Sequence, residues 1–451
     1  MFTVNHMLNR YSLRLVLLHL AIGTIASQYS IISTVWGMSV VIFGAYSIMK
    51  YRNHYNTAGL FAAYLVGLEI VLRMTGAAVF WEFGKYGTII FLVLGLAMEN
   101  IKQHRTSIFI IIYFLSLLPS AFMVPFENFI LWRQSISFNL SGPLTLFVAF
   151  LYFRGRLLNE SELVRLFKMM ILPLISMSMI LLIRAPAPDD IVFGSEANAQ
   201  MSGGYGPNQV SSALGLVVAI IALSKILGFT LLKKDLYDYT LLGICAIQSY
   251  LTLARGGVLT AILAIFSAWL ISLGQGPSRT LRTGKIAYVL TILFILWNVA
   301  GDFTRGKMEQ RYLSIFSINE SGELSGSGRM LIMAIDLEIF SDNMLLGVGP
   351  GMANVLRADY GYNKIVTAHS EITRILAEHG LFGLFGICSL IFLSLREYHG
   401  RKKREKCILT CFATIAILTM LHSAMRLAMP GFIFGLAFLK MKLVDGHPSA
   451  A

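Results

Sequence analysis

Apolar residues gather along this chain into long runs of about 17–23, separated by short polar breaks. A helix rises about 1.5 Å per residue, so a run of that length crosses a hydrocarbon core of roughly 30 Å. The pattern predicts about fourteen spans, near residues 13–29, 31–49, 58–80, 86–99, 107–124, 140–153, 166–184, 209–229, 237–254, 256–274, 286–301, 379–395, 407–424 and 427–441. The expected fold is therefore all-α, a polytopic transmembrane helical bundle of about 12–14 spans with one large, partly helical loop. It divides into N-terminal helices 1–184, central helices 185–301 with an outer loop at 185–208, the large loop 302–378, and C-terminal helices 379–451.

Composition agrees, with 56% hydrophobic and only 14% charged residues, a balance that excludes a water-soluble enzyme. The net charge of +13 would point to nucleic acid in a soluble chain, but here its distribution explains it. Of 37 basic residues, 24 fall in alternate short segments, from Arg10 and Arg14 through Lys102 and Arg105 to the run Arg401–Lys406 and Lys440. That alternation marks the cytoplasmic side and puts both termini there. No nucleic-acid partner is expected. The four cysteines, Cys245, Cys388, Cys407 and Cys411, lie in apolar runs without disulfide or C-x-x-C spacing.

Two outer segments exceed simple turns. Residues 185–208 are rich in Gly, Pro and small polar residues and end with Asn208 placed to cap the next helix. In 302–378, apolar spacing predicts a helix over 327–342, with Asp336 and Glu338 on its other faces, and a second over 367–380 that feeds the next span.

Polar groups near hydrocarbon are costly, so those present are candidates for chemistry. Arg255 follows a span directly and precedes Gly256 and Gly257, which let a backbone or ligand approach closely; it reads as an anion ligand or as an arginine snorkelling to water. Arg329 opens the loop helix, where its guanidinium and free backbone N–H groups can face one anion, or it is a solvated helix-start residue. His369, beside Glu371, Arg374 and Glu378, reads as a general base or as a packing residue. Glu69 and Arg73 form an i,i+4 pair within the third span, either a clamp between helices or the lining of a substrate cleft. Arg184 and Arg426, near outer span ends, are weaker cleft candidates. Asp189 and Asp190 read as solvated, and no metal site or cofactor is expected. Zinc-protease, P-loop and nucleophile-elbow motifs are absent.

Four stretches, 203–216, 251–263, 325–355 and 368–386, together resemble the O-antigen ligase and polymerase superfamily. The resemblance covers about two-fifths of the chain, and the N-terminal 200 residues match only in character. It implies a GT-C-like glycosyltransferase of the bacterial inner membrane with a periplasmic active site in the large loop. The donor implied is an undecaprenyl-diphosphate-linked glycan, and transfer is inverting and metal-independent. Position by position, Arg255 and Arg329 match the arginines associated with the donor diphosphate, and His369 matches the histidine implicated as base. The acceptor is lipid A-core for a ligase, which the loop motifs favour, or a growing glycan for a polymerase. Membrane lipids and a polysaccharide chain-length regulator complete the implied partners. A lipid-linked oligosaccharide flippase is the competing class, although it would show internal repeats that this chain lacks.

Overall fold

The computed structural model describes residues 12–99, 106–126, 128–187, 190–193, 196–273, 279–313, 327–362, 368 and 370–442. Among them are seventeen α-helices: α1 Ser12–Gln28, α2 Ser30–Lys50, α3 Thr57–Met74, α4 Phe83–Met98, α5 Ile108–Ser116, α6 Phe129–Phe153, α7 Glu160–Arg184, α8 Pro207–Leu227, α9 Asp235–Leu251, α10 Arg255–Ser272, α11 Arg279–Phe303, α12 Lys307–Leu313, α13 Ser327–Asp342, α14 Ala353–Leu356, α15 Glu371–His399, α16 Lys403–Ser423 and α17 Met429–Leu436. Nine helices among the described residues are long and apolar enough to cross a membrane, and three shorter apolar helices accompany them. The chain is an all-α polytopic bundle.

Local signals set the boundaries. Asn159 and Glu162 form a reciprocal capping box that starts α7. Pro207 opens α8, and Gly228 closes it in the left-handed region. The apolar window of α8 is wholly buried, so it is the central post of the bundle, whereas α2 and α11, each 28% buried, form its periphery. The last predicted span, 427–441, contains only the eight-residue α17, about 12 Å of helix. It nevertheless runs beside α6 in the same direction, from Met425 against Gly142 to Phe438 against Gly155. A Cβ on Gly431 would lie 2.8 Å from the backbone of Leu146, so the missing side chain lets the two helices touch.

Ion pairs divide the bundle into two ends. Arg156 holds Glu99 at 2.7 Å, Arg154 holds Glu397 at 2.7 Å, Arg404 holds Glu160 at 2.5 Å, and Lys225 and Lys285 share Asp235. Each joins segments that the Lys/Arg alternation places on one side. At the same end Leu157–Leu158 pairs in parallel with Lys440–Met441, and Arg401 donates to the carbonyls of Phe438 and Leu439.

The opposite end, the loop end, carries a small second core of Ile335, Ile339, Val348, Ala353 and Ala377. Helix α13 forms as its apolar spacing predicts, but Asp336 is wholly buried, unlike exposed Glu338. It meets the equally buried Arg357 at 2.7 Å and accepts from the Thr373 hydroxyl at 3.1 Å. The sequence put Asp336 off the apolar face of the helix, as found; its burial comes from a partner 21 residues away on another element. Burial pushes the Asp336 carboxyl up, and the Arg357 charge opposes that shift. Removing one member leaves the other charged in an apolar surround, so Arg357→Met is expected to cost about 3–5 kcal/mol, with Asp336→Leu in the same chain recovering most of it. Thermal unfolding of the detergent-solubilised variants checks this.

Helix α15 breaks at Gly380, whose φ of 60° and ψ of −142° lie outside the helical region. A Cβ there would sit 2.4 Å from the Met344 carbonyl, and Leu381 N donates to that same oxygen at 2.6 Å. The break separates residues 371–379, which belong to the loop end, from the spanning half.

Candidate functional site

Arg255 is presented by a tight turn. Leu253 adopts a φ of 52°, the Ser211 hydroxyl donates to the Ala254 carbonyl at 2.8 Å, and α10 then begins at Arg255 itself. The two following glycines work as packing surfaces: a Cβ on Gly256 would fall 2.2 Å from the His422 ring, and one on Gly257 2.2 Å from the Ser211 backbone. They press α10 onto α16 and α8 and so fix Arg255 at the loop end of the bundle.

There Arg255 Nη1 donates to the carbonyl of Arg311 at 2.8 Å. Helix α12, which carries Arg311, is held by its neighbour Tyr312 against Trp297, with ring centroids 4.8 Å apart, and Trp297 in turn meets Tyr250 at 5.6 Å. From the other side Arg329 Nη2 donates to Asn208 Oδ1 at 3.2 Å. Asn208 thus does not cap α8, as its position suggested; Gly206 precedes the helix and the amide reaches out to the arginine. The Ser212 hydroxyl donates to the Asn208 carbonyl at 2.7 Å and lies 3.0 Å from His422 Nε2.

These cations feel one another. Arg329 is held below the usual arginine range by burial and then by the Arg311 charge, and Arg311 is lowered mainly by burial. Arg426 is lowered by burial as well, with Arg329 and Arg357 adding to that effect and Tyr205 and Glu371 opposing it. Like charges gathered in a half-buried cleft raise the energy of the empty site and favour an anion placed among them. Among the described residues Arg329 forms no ion pair, and its one hydrogen bond is to a neutral amide.

Arg426 Nη2 also donates to the carbonyl of Ala368 at 2.8 Å, and Ser370 accepts from Thr373 N to cap α15. His369, the expected base, lies outside the described residues, as does Asp189. Its two neighbours are in place, and Ala368 lines a small polar pocket with Asn139, Glu371, Arg374 and Arg426. The carboxylates near it are engaged: Arg374 binds both Glu371 and Glu378, and Glu371 Oε2 also accepts from Met425 N at 3.1 Å.

The other cleft candidates tie elements together. Arg184 donates to the carbonyls of Met74 at 2.8 Å, Gly203 at 3.3 Å and Ser27 at 3.1 Å. Glu69 binds Arg73 at 2.6 Å and accepts from Ala428 N at 2.7 Å. The structure thus gathers Arg255, Arg329 and Arg426 and adds Arg311 and His422, which the sequence did not single out, and Asn208, which it read only as a cap. Arg311 reads as an ordinary amphipathic charge in KMEQRYL, and only the tertiary fold brings it to Arg255.

Residues 240–388 match a family model described as O-antigen ligase, and this stretch holds the positions of Arg255, Arg311, Arg329 and His369. No curated protein matches the chain at a significant level.

Proposed function

We propose, from the premise that this chain belongs to the O-antigen ligase superfamily through residues 240–388, that it transfers a glycan from undecaprenyl diphosphate to an acceptor hydroxyl on the periplasmic face. The observation that carries this reading is the meeting of Arg255, Arg311 and Arg329, from three separate helices, at one end of a membrane bundle.

The chemistry follows from the charges. The acceptor oxygen forms a bond to the anomeric carbon as the bond from that carbon to the phosphate oxygen breaks, so one direct displacement inverts the centre. Negative charge grows on the departing diphosphate, and fixed guanidinium groups stabilise it without reorganising, the role a divalent cation fills in other transferases. The hydroxyl proton passes to His369. A polyprenyl tail stays in lipid while its diphosphate reaches the arginines from the side.

Lipid A-core is the acceptor we favour. Purified protein in nanodiscs, supplied with undecaprenyl-diphosphate glycan, is expected to form product only when lipid A-core is added, as read by gel and mass spectrometry. A ladder formed from donor alone would make the protein a polymerase, and no product with either acceptor would overturn the transferase reading.

A further inference from the structure

Beside the turn that carries Arg426, and outside the matched stretch, lies an open cleft lined by Glu69, Arg73, Phe80, Trp81 and Gly84 among others. The Arg73 guanidinium lies over the Trp81 ring, 4.5 Å from its centroid, yet 54% of Trp81 remains exposed. Arg73 and Glu69 are buried, with side chains 6% and 2% exposed, and Arg73 Nε has no hydrogen-bond partner among the described residues. Gly84 makes room for the carboxylate, since a Cβ there would lie 2.4 Å from Glu69 Cγ. The loop carrying the rings is fixed: Ala78 N donates to Thr34 Oγ1 at 2.9 Å, and Phe80 meets Phe83 at 5.6 Å.

We propose that this cleft binds a sugar ring of the acceptor, stacked on Trp81 and hydrogen-bonded by the Arg73–Glu69 pair. The inference rests on the transferase reading for the word acceptor but not for the sugar. Charge selects the ligand class. The charged residues of the lining are this one ion pair, neutral as a unit, so the cleft offers a phosphate less than the arginines around Arg329 do. A flat aromatic face beside buried donors and acceptors suits a neutral ring with apolar C–H bonds on one face and hydroxyls at its edge. An aromatic residue that merely anchors the protein in the interface would not need a buried, incompletely bonded guanidinium beneath it.

Position selects the acceptor. The turn joining α16 and α17 sends Arg426 to the Ala368 carbonyl and, two residues later, Ala428 N to Glu69, so one short segment connects the cleft to the residue before His369. Tyr205, pushed up by burial, feels the charges of both Arg73 and Arg426. Arg426 thus shares its turn with the segment that holds Glu69 of the cleft, and it also feels the Arg329 charge.

The test uses core oligosaccharide released from its lipid by mild acid, titrated into the full chain in nanodiscs and followed by thermophoresis. Trp81→Leu keeps an apolar anchor and removes the flat face; it is expected to weaken binding about tenfold, whereas Trp81→Phe stays within about threefold. In turnover, Trp81→Leu is expected to raise the acceptor KM by a similar factor with the donor KM unchanged. Equal binding by Trp81→Leu and wild type at equal melting temperature, or no binding by wild type, would overturn the site. A rise in donor KM alone would overturn its assignment to the acceptor. Binding needs no catalysis, so Trp81-dependent binding without transfer would uphold the cleft while the transferase reading failed, and transfer indifferent to Trp81 would do the reverse.

Discussion

Arg329→Ala and Arg255→Ala are each expected to lower kcat by about 10²- to 10³-fold, the loss that follows removal of one preorganised donor at a developing oxyanion. In the proposed mechanism both arginines meet the leaving diphosphate, whose charge is greater in the transition state than in the bound donor, so the effect falls on kcat more than on KM. Lysine at either position keeps the charge and loses the planar fork, and is expected to recover only part of the loss. Stability should move differently. Arg329 is a half-buried cation that feels the Arg311 charge and is held below its usual range, so its charged form is disfavoured by folding. Its removal forfeits one hydrogen bond to Asn208, a loss of about 1–3 kcal/mol, which the relieved repulsion offsets in part. Steady-state kinetics and melting temperature measured on the same preparations check the pair of outcomes. A variant with full kcat, or one whose activity falls only in step with its melting temperature, would remove Arg329 from the donor site.

The features readable from the sequence were those set by local or periodic physics. Span positions follow from run length, and the alternation of Lys and Arg matches the pairings Arg156–Glu99, Arg154–Glu397 and Arg404–Glu160. Helix α13 and the stop at Gly380 were visible because apolar period and glycine act within a few residues. What stayed hidden depends on partners distant along the chain. Asp336 reads only as lying off the apolar face of its helix until Arg357 is folded onto it. Asn208 looks like a cap until Arg329, 121 residues later, takes its amide oxygen. The two glycines after Arg255 signalled close approach, but whether to a ligand or to a helix was undetermined; the structure puts His422 and Ser211 there. Arg184, read as a cleft residue, has three backbone carbonyls as partners that no side-chain pattern encodes.

His369→Ala is expected to lower transfer by about 10²- to 10⁴-fold, the usual contribution of a positioned general base. A sugar hydroxyl attacks poorly until its proton is taken, whereas the diphosphate already leaves well, so the base limits the nucleophilic half of the step. The sign of the pH dependence follows from the role. The imidazole must be neutral to accept the proton, so the wild-type rate should fall on acidification as the ring becomes protonated. The residual activity of His369→Ala should lack that limb. His369→Asn separates chemistry from placement: an amide can hold the hydroxyl but cannot take its proton, so the acid limb should vanish there too. Arg426→Ala supplies the complementary case. It removes the contact to the Ala368 carbonyl, loosening the residue before His369 while leaving the imidazole present. A smaller drop in kcat is therefore expected, with the acid limb retained. An acid limb that persists in His369→Asn would assign the titrating base to another group and leave His369 a structural role.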